Sequence, residues 1–451
     1  MATSILVRFA GDGEGIEELS WGQGSMWNTI VREGQSVSMG GATPLAPHLT
    51  PEQLADLLQF MMSRHQALRT KLDFTAGRVR QRLFSAGEIS LAVIEAGDED
   101  PAAVAERIAD DYKSRPFDYE HDWPVRMAAV CVDGLATHVV AVYLHVQIDA
   151  VGLQVLIDDL ANLDFETKRA LAPADGIAPM EQARSQRQPA ARRQSAASLR
   201  HLDRALRSVP IERFGGQVAD VEPSYPMLTF RSRALQLAVG EISRQCAIDT
   251  SPVLLGLMAA AVGQRYRTNP FLAVLAVSNR FRPGFANSVS KLAGVSPCLI
   301  DTADTSLGEV FQRARKAALT AYKSAYYDPT ARRELIAQVA ADRGAAVDMS
   351  CFFNDRRVDR EPAAVGELTA EDFDKARTDT VWDIALEAQE CPEKLYLSVD
   401  DEPDAIVYRM TFDVRYFTDN DAVGLAELME SLAIDAALDP SRPTRTRREA
   451  S

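Results

Sequence analysis

The stretch His138-Val-Val-Ala-Val-Tyr-Leu144-His145-Val-Gln-Ile148-Asp149-Ala150-Val-Gly152 decides how the chain is read. From His138 to Ile148 it is nearly continuously apolar and rich in β-branched side chains, the pattern of a strand buried on both faces. Then the period changes, and Leu153, Leu156, Ile157 and Leu160 recur at helical spacing. A strand thus runs directly into a helix, with His145 and Asp149 at the junction. Such a junction suits reactive groups, because a rigid strand holds them and the helix N-terminus faces the site. The same pair also fits a hydrogen-bonded core histidine and a helix-capping aspartate. The segment by itself leaves both readings open.

Outward from this junction, strands and helices alternate. Thr50-Pro51 supplies a cap and a first-turn proline for a helix predicted over 51–70, with Leu54, Leu57, Leu58 and Met61 on one face. Residues 101–114 read as a second helix, carrying Ala103, Val104, Ile108 and Tyr112 on one side. Further on, strands are predicted over 228–239, 271–277, 347–354 and 405–416, and helices over 251–267, 306–325 and 420–437. The result is a mixed α/β (α+β) chain in two lobes. Between 166 and 207 the composition shifts to Ala, Gln, Arg and Ser, with seven arginines from Arg184 to Arg207. Leu199, Leu202 and Leu206 still keep helical spacing there. This stretch reads as a surface connection leading into a helix. It separates an N-terminal lobe, 1–175, from a C-terminal lobe, 176–440. Residues 441–451 hold four arginines and no large apolar side chain, and are expected to form a disordered basic tail.

Bulk properties exclude several classes. The 451 residues exceed what one simple core organises. Apolar residues at 46% and charged residues at 25% are ordinary for a soluble protein. No apolar run approaches the ~18 residues of a membrane span, and the N-terminus has no secretory pattern, so a cytoplasmic protein without membrane contact is expected. The five cysteines (Cys131, Cys246, Cys298, Cys351, Cys391) are scattered and form no CxxC, and the six histidines form no HExxH. Neither a disulfide framework nor a metal site is expected. The net charge of -15 disfavours a nucleic-acid partner. Gly11-Asp-Gly-Glu-Gly15 does not join a strand to a helix through Gly-Lys-Ser/Thr, so it is no phosphate loop.

Six segments then fall into register with one family. The spacing Leu144-His145-x-x-x-Asp149-Ala150 resembles the HHxxxDG motif of the condensation domains of nonribosomal peptide synthetases, relatives of chloramphenicol acetyltransferase. Ser20-x-x-Gln23-x-x-x-Trp27 resembles their opening motif, and Arg64-His-Gln-Ala-Leu-Arg-Thr70 is similar to RHExLRT. Pro116-Phe-Asp118 with Trp123-Pro-Val-Arg126 resembles PFDL…PLxR, and Ser278-Asn-Arg280-Phe-Arg-Pro283 resembles NRxRP. Phe412 to Asp419 resembles the strand before the closing helix.

The resemblance implies two chloramphenicol-acetyltransferase-like lobes in a V, with a tunnel between them. It implies a free-standing condensation enzyme that joins a thioester-bound acyl or aminoacyl group to an amine or hydroxyl, giving an amide or ester in natural-product assembly. The donor would arrive on the phosphopantetheine of an acyl or peptidyl carrier protein, or on coenzyme A, with no other cofactor. The acceptor would be a small molecule or a second carrier, and a single such chain can work as a monomer. His145 takes the catalytic position, where a neutral imidazole can accept a proton or hydrogen-bond a tetrahedral species. Asp149 and Arg280 take the positions of a structural pair expected to cross-link the lobes. Leu144 replaces the first histidine and Ala150 the glycine. With Gly152, Ser278, Ser350 and Trp382 they are candidates to line the tunnel, and Phe353 is a further pocket candidate. Arg184, Arg187, Arg192 and Arg193 are candidates to dock an acidic carrier. Two other readings stay in play: an inactive condensation-like module that recruits a partner enzyme, and an acyl-CoA-dependent acyltransferase.

Overall fold

A computed structural model of the chain describes residues 2–34, 36–75, 77–214, 216–218, 221–357, 368–386 and 393–447. Cys391 lies outside the described residues. The chain divides into two compact units. The first comprises residues 1–195, 278–294 and 327–330, and the second 196–277, 295–326 and 331–451. The boundary expected near residue 175 therefore lies some twenty residues later. Two further segments of the expected C-terminal lobe belong to the first unit, because 278–294 packs against the helix that follows the motif strand.

In chain order the first unit contains β1 (Ala2–Ala10), β2 (Gly15–Glu18), α1 (Trp21–Glu33), β3 (Ser38–Leu49), α2 (Pro51–Arg64), β4 (Thr70–Asp73), β5 (Arg80–Leu83), β6 (Ala86–Glu95), α3 (Pro101–Ser114), β7 (Val125–Val132), β8 (Leu135–Leu144), α4 (Ala150–Asp159), the short pair β9 (Leu163–Asp164) and β10 (Arg169–Ala170), and α5 (Pro179–Gln186). The main sheet has the order β1-β6-β7-β8-β3. Along β7 the side chains alternate between two cores. Met127, Ala129 and Cys131 pack with Leu54, Leu58 and Met62 of α2, while Ala128 and Val130 pack with Val104, Ala105 and Ala109 of α3. This two-sided burial explains why the central strands are apolar throughout. Thr50 caps α2 through a capping box with Gln53, and Pro51 opens it.

The helix predicted over 51–70 ends at Arg64, because His65 turns extended, and a 3-10 turn over Gln66–Arg69 leads into β4. The strand predicted through Ile148 ends at Leu144. Its partner β3 begins at Ser38, which pairs with Leu144, so no ladder remains for the residues beyond.

α6 (Pro189–Ser208) leads into the second unit, which contains β11 (Pro226–Ser232), α7 (Arg233–Cys246), α8 (Thr250–Tyr266), β12 (Phe271–Val277), β13 (Gly294–Ile300), α9 (Leu307–Lys323), α10 (Pro329–Arg343), β14 (Cys351–Asp355), α11 (Ala370–Arg377), β15 (Val381–Leu386), β16 (Leu395–Glu402), β17 (Ala405–Phe412) and α12 (Asp419–Leu438). Its sheet order is β13-β12-β14-β16-β17-β11-β15. Phe230, Tyr408 and Met410 of the sheet share one core with Leu235 and Ile242 of α7, Leu254 and Met258 of α8 and Met429 of α12.

Three expectations change. The predicted strand over 228–239 is a strand only to Ser232. The Ser232 side chain then accepts from the Leu235 amide and caps α7, whose buried Leu235, Ala238, Val239 and Ile242 follow helical spacing. The 166–207 stretch holds two helices, α5 and α6, rather than a long connection. The segment after Pro440 is no loose tail through Arg447. Thr444 and Thr446 are buried. The Thr444 amide donates to Thr305 O at 3.0 Å, the Asp304 amide to Thr446 O at 3.0 Å, and the Thr444 hydroxyl to Thr302 O at 2.7 Å. Removing residues 441–451 is therefore expected to cost roughly 3 kcal/mol of unfolding free energy, at about 1 kcal/mol for each of these hydrogen bonds. Urea denaturation reads this directly, and an unchanged midpoint would contradict the docked segment.

Candidate active site

Beyond Leu144 the chain makes a tight turn. The Gln147 amide donates to Leu144 O, and the His145 amide to Val37 O, both at 3.0 Å. The half-buried His145 ring lies 2.8 Å from the Ile148 carbonyl through Nδ1. A carbonyl only accepts, so Nδ1 carries the proton and Nε2 presents its lone pair. Among the described residues Nε2 has no hydrogen-bond partner. The turn itself rests on a buried amide network. Gln23 Nε2 donates to Gln147 Oε1 at 2.9 Å and to Gln81 Oε1 at 3.2 Å, and Gln147 Nε2 donates to Thr70 O at 3.2 Å. Ser20 and Gln23 close a capping box on α1. The opening motif thus acts through packing beneath His145.

Asp149 ends the turn and caps α4. Its Oδ1 accepts from the Gly152 amide at 2.8 Å and from Arg280 Nη2 at 2.6 Å. Its Oδ2 accepts from the Leu292 and Ala293 amides, both at 2.7 Å. Arg280 is equally engaged, with Nη1 donating to Ser288 O at 2.7 Å and Phe285 O at 3.1 Å. Both side chains are buried, at 8% and 3% exposure for Arg280 and Asp149. The pair was expected to cross-link two lobes. Both members belong to the first unit, and the pair instead fastens the returning segment 278–294 to α4. Gly152 is required by this packing, because a Cβ there would lie 2.8 Å from Ser290 O and 3.0 Å from Arg280 Nη2.

The electrostatics follow from that burial. Arg280 and Lys291 beside Asp149, with the amide donors, hold its carboxyl below the usual range against the cost of burial. His145 is pushed down to about 4, by burial first and by the Lys291 cation second, while the Ile148 carbonyl and Asp149 act in the opposite direction. At neutral pH the ring is uncharged.

The remaining motif residues brace this region. Arg64 makes a two-point ion pair with Asp159 at the end of α4, at 2.5 and 3.0 Å, and His65 Nε2 meets the same carboxylate at 2.8 Å. Arg69 is buried, with Nη2 donating to Asp12 O at 2.9 Å. Arg126 lies 3.8 Å over the Phe117 ring and donates to Tyr112 O at 2.9 Å and Pro116 O at 2.8 Å.

The other predicted positions separate. Leu144 is core, packed with Ile30, Phe117, Val142 and Val146, and Gly152 is buried under Arg280, so neither lines an opening. Ala150 is exposed in the first turn of α4. The Ser278 hydroxyl accepts from the Arg280 amide at 3.5 Å. Ser350 and Trp382 belong to the second unit. There the Ser350 hydroxyl donates to Asp348, and Trp382, 52% exposed, sits on the sheet's edge strand β15. Phe353 is core. Arg184 and Arg187 pair with Glu17, chiefly Arg187 holding that carboxyl at about 2. Arg192 and Arg193 are exposed. Lys291 and the Leu292 and Ala293 amides escaped sequence reading. Their one signal is a lone lysine within the small and apolar run Ser288-Val-Ser-Lys-Leu-Ala-Gly294. Among the described residues no cluster of His, Cys, Asp and Glu could hold a metal ion, and no single helix is long and apolar enough to cross a membrane.

Comparison with known proteins agrees with this layout. Residues 18–201 match the Condensation domain family. A stretch of 138 residues, 30% of the chain, is 30% identical to surfactin synthase subunit 1 of Bacillus subtilis (strain 168), and covers 4% of that far longer protein. Among solved structures, the chain is similar to the SgcC5 protein from Streptomyces globisporus, at 19% identity and a TM-score of 0.67, over 94% of this chain and 100% of that one. It is similar to the X-domain solved in complex with OxyB from teicoplanin biosynthesis, at 17% identity and a TM-score of 0.71, over 97% and 96%. It is also similar to the starter condensation domain of rhizomide synthetase, at 14% identity and a TM-score of 0.70, over 96% and 97%. Residues 18–201 thus resemble a condensation domain in sequence, and nearly the whole chain shares the fold of such domains.

Two outcomes follow from the site's geometry. Asp149→Ala leaves Arg280 buried without its counter-ion and is expected to cost about 3–5 kcal/mol in urea unfolding. The pH dependence of stability should also carry a His145 contribution. The folded ring stays neutral from 6.5 down to about 4, while the unfolded chain binds a proton in that window, so stability falls as pH drops through it. His145→Gln should lose less stability than the wild type between those pH values. Equal losses in the two proteins would contradict a depressed His145.

Proposed function

We propose that the chain is an acyltransferase that forms an amide or ester from a carrier-bound acyl or aminoacyl thioester and an amine or hydroxyl acceptor. The observation that carries this reading is the fixed tautomer of His145. With Nδ1–H committed to Ile148 O, the Nε2 lone pair is the group offered to a nucleophile. As the acceptor nitrogen or oxygen bonds to the thioester carbonyl carbon, its proton passes to Nε2. Collapse of the tetrahedral species breaks the C–S bond, and the departing thiolate takes the proton from Nε2–H. An imidazole whose conjugate acid has a pKa of about 4 accepts a proton reluctantly, and the imidazolium releases it readily. The ring therefore serves first as a hydrogen-bond acceptor that orients the nucleophile and then as a rapid donor to sulfur. Asp149 and Arg280 keep the turn in place and take no part in proton transfer. The donor handle is phosphopantetheine, on an acyl or peptidyl carrier protein, with Arg192 and Arg193 as the exposed cations available to an acidic carrier.

Purified protein incubated with a loaded carrier and an acceptor should form product, and His145→Ala should lower kcat by about 10²–10⁴-fold. Product formed equally well by the variant rules out this role for His145. Running acyl-CoA in place of the acyl-carrier separates the two forms of donor.

A second reading, a module that recruits a partner enzyme, is favoured by one observation. Leu144 stands in place of the motif's first histidine and is absorbed into an apolar core, in a chain whose fold is shared with an X-domain solved in complex with OxyB. Capture of a tailoring enzyme, with no turnover by the wild type, would decide for it.

A further inference from the structure

Three buried glutamines, Gln23, Gln81 and Gln147, meet beneath the His145 turn, and their amides can bond in one order only. The Ser20 amide donates to Gln23 Oε1 at 2.8 Å, and an amide nitrogen cannot accept in place of that oxygen. Gln23 Nε2 is thereby fixed as a donor, and its protons go to Gln147 Oε1 at 2.9 Å and Gln81 Oε1 at 3.2 Å. Gln147 then faces Thr70 O with its Nε2, at 3.2 Å, and Gln81 Nε2 faces Glu18 O at 2.9 Å. Flipping the Gln147 amide would set donor against donor at Gln23 and acceptor against acceptor at Thr70. The polarity of the whole relay thus descends from one backbone amide at the start of α1. Gln147 is also the polar side chain among three consecutive buried anchors of the turn. Its neighbours Val146 and Ile148 enter two different apolar cores. Apolar contacts hold a position without setting a direction, whereas hydrogen bonds set both. The Gln147 backbone amide closes the turn on Leu144 O at 3.0 Å. The carbonyl of the following residue, Ile148, is the one that accepts from His145 Nδ1 at 2.8 Å.

We infer that Gln147 is a positioning residue of this site, oriented by Gln23. The fixed Gln147 amide holds the Ile148 carbonyl where His145 Nδ1–H can donate to it, and so keeps Nε2 as the accepting nitrogen. The segment Ser20-x-x-Gln23 therefore reaches the histidine through one intermediate side chain. A glutamate at 23 would close the capping box as well as glutamine does, but it has no N–H to give to Gln147. The need for glutamine at 23 comes from the site rather than from the helix. This role rests on the reading of His145 as the acceptor group.

The test is nitrogen NMR of ring-labelled histidine at neutral pH, the His145 signals being assigned by their loss in His145→Gln. No donor or acceptor is present, so the result is independent of whether amide or ester synthesis is found. Wild type should carry the ring proton on Nδ1, and its Gln147 side-chain amide should exchange with solvent more slowly than exposed glutamine amides do. Gln147→Met and Gln23→Glu should each convert the ring to a mixture of the two tautomers. Gln53→Met is the control. Gln53 closes the capping box of α2 as Gln23 closes that of α1, but it bonds to Thr50 and not to the turn. That variant should lose stability and keep the proton on Nδ1. If turnover is found, Gln147→Met should lower kcat by about 10–10²-fold with KM unchanged. A wild-type ring protonated on Nε2 overturns this role together with the proposed reaction. Rapid exchange at Gln147 in the wild type overturns the role alone, even if no variant folds. So does an unmoved tautomer in a folded Gln147→Met or Gln23→Glu, or an equal change in Gln53→Met.

Discussion

The Asp149 carboxylate is the point on which the first unit depends. Four N–H donors converge on two oxygens, from the first turn of its own helix, from an arginine 131 residues away, and from two successive amides of the returning segment. Without the carboxylate the Leu292 amide would be a buried donor without a partner and Arg280 a buried charge without its counter-ion, so the cost of losing it exceeds the value of any single bond. The turn that carries His145 has no ladder of its own beyond Leu144. It keeps its shape because its downstream end is fixed by this carboxylate and its underside by the Gln23–Gln147–Gln81 amides.

Most of the fold class was legible in the amino-acid sequence because it depends on local patterns. The strand before His145, the capped helix at Pro51 and the helix over 101–114 each announce themselves by period and composition. The errors share one physical origin. Ser232 was read as part of a strand because its role as a cap depends on an amide three residues ahead, and strand and helix are both apolar there. The strand end at Leu144 was misplaced because only the length of its partner β3 determines where pairing stops. The docked segment through Thr446 reads as polar because its threonines bury hydroxyls rather than apolar bulk.

The site was legible in part. His145, Asp149 and Arg280 stand out because each occupies a position in a spaced motif. Lys291 does not, since a single lysine in a small-residue run carries no pattern, and its burial is set by the returning segment that binds Asp149. The positions read as lining a channel fared differently from one another for a similar reason. A leucine beside a histidine, or a serine near a strand end, has a direction only after the backbone is set. Leu144 turns inward to Phe117, and Ser350 turns to Asp348.

The first unit is not contiguous in sequence, since it needs residues 278–294 in addition to 1–195. During synthesis, the first 195 residues leave the ribosome with only one of the four donors to Asp149, the Gly152 amide, and the carboxylate lacks the rest until Ala293 has been made. The His145 turn therefore cannot be completed in the order of translation. Much of the second unit's chain must be made before the first can close. A gene divided anywhere between 195 and 278 would give an N-terminal fragment that carries His145 but lacks the segment that fixes its turn.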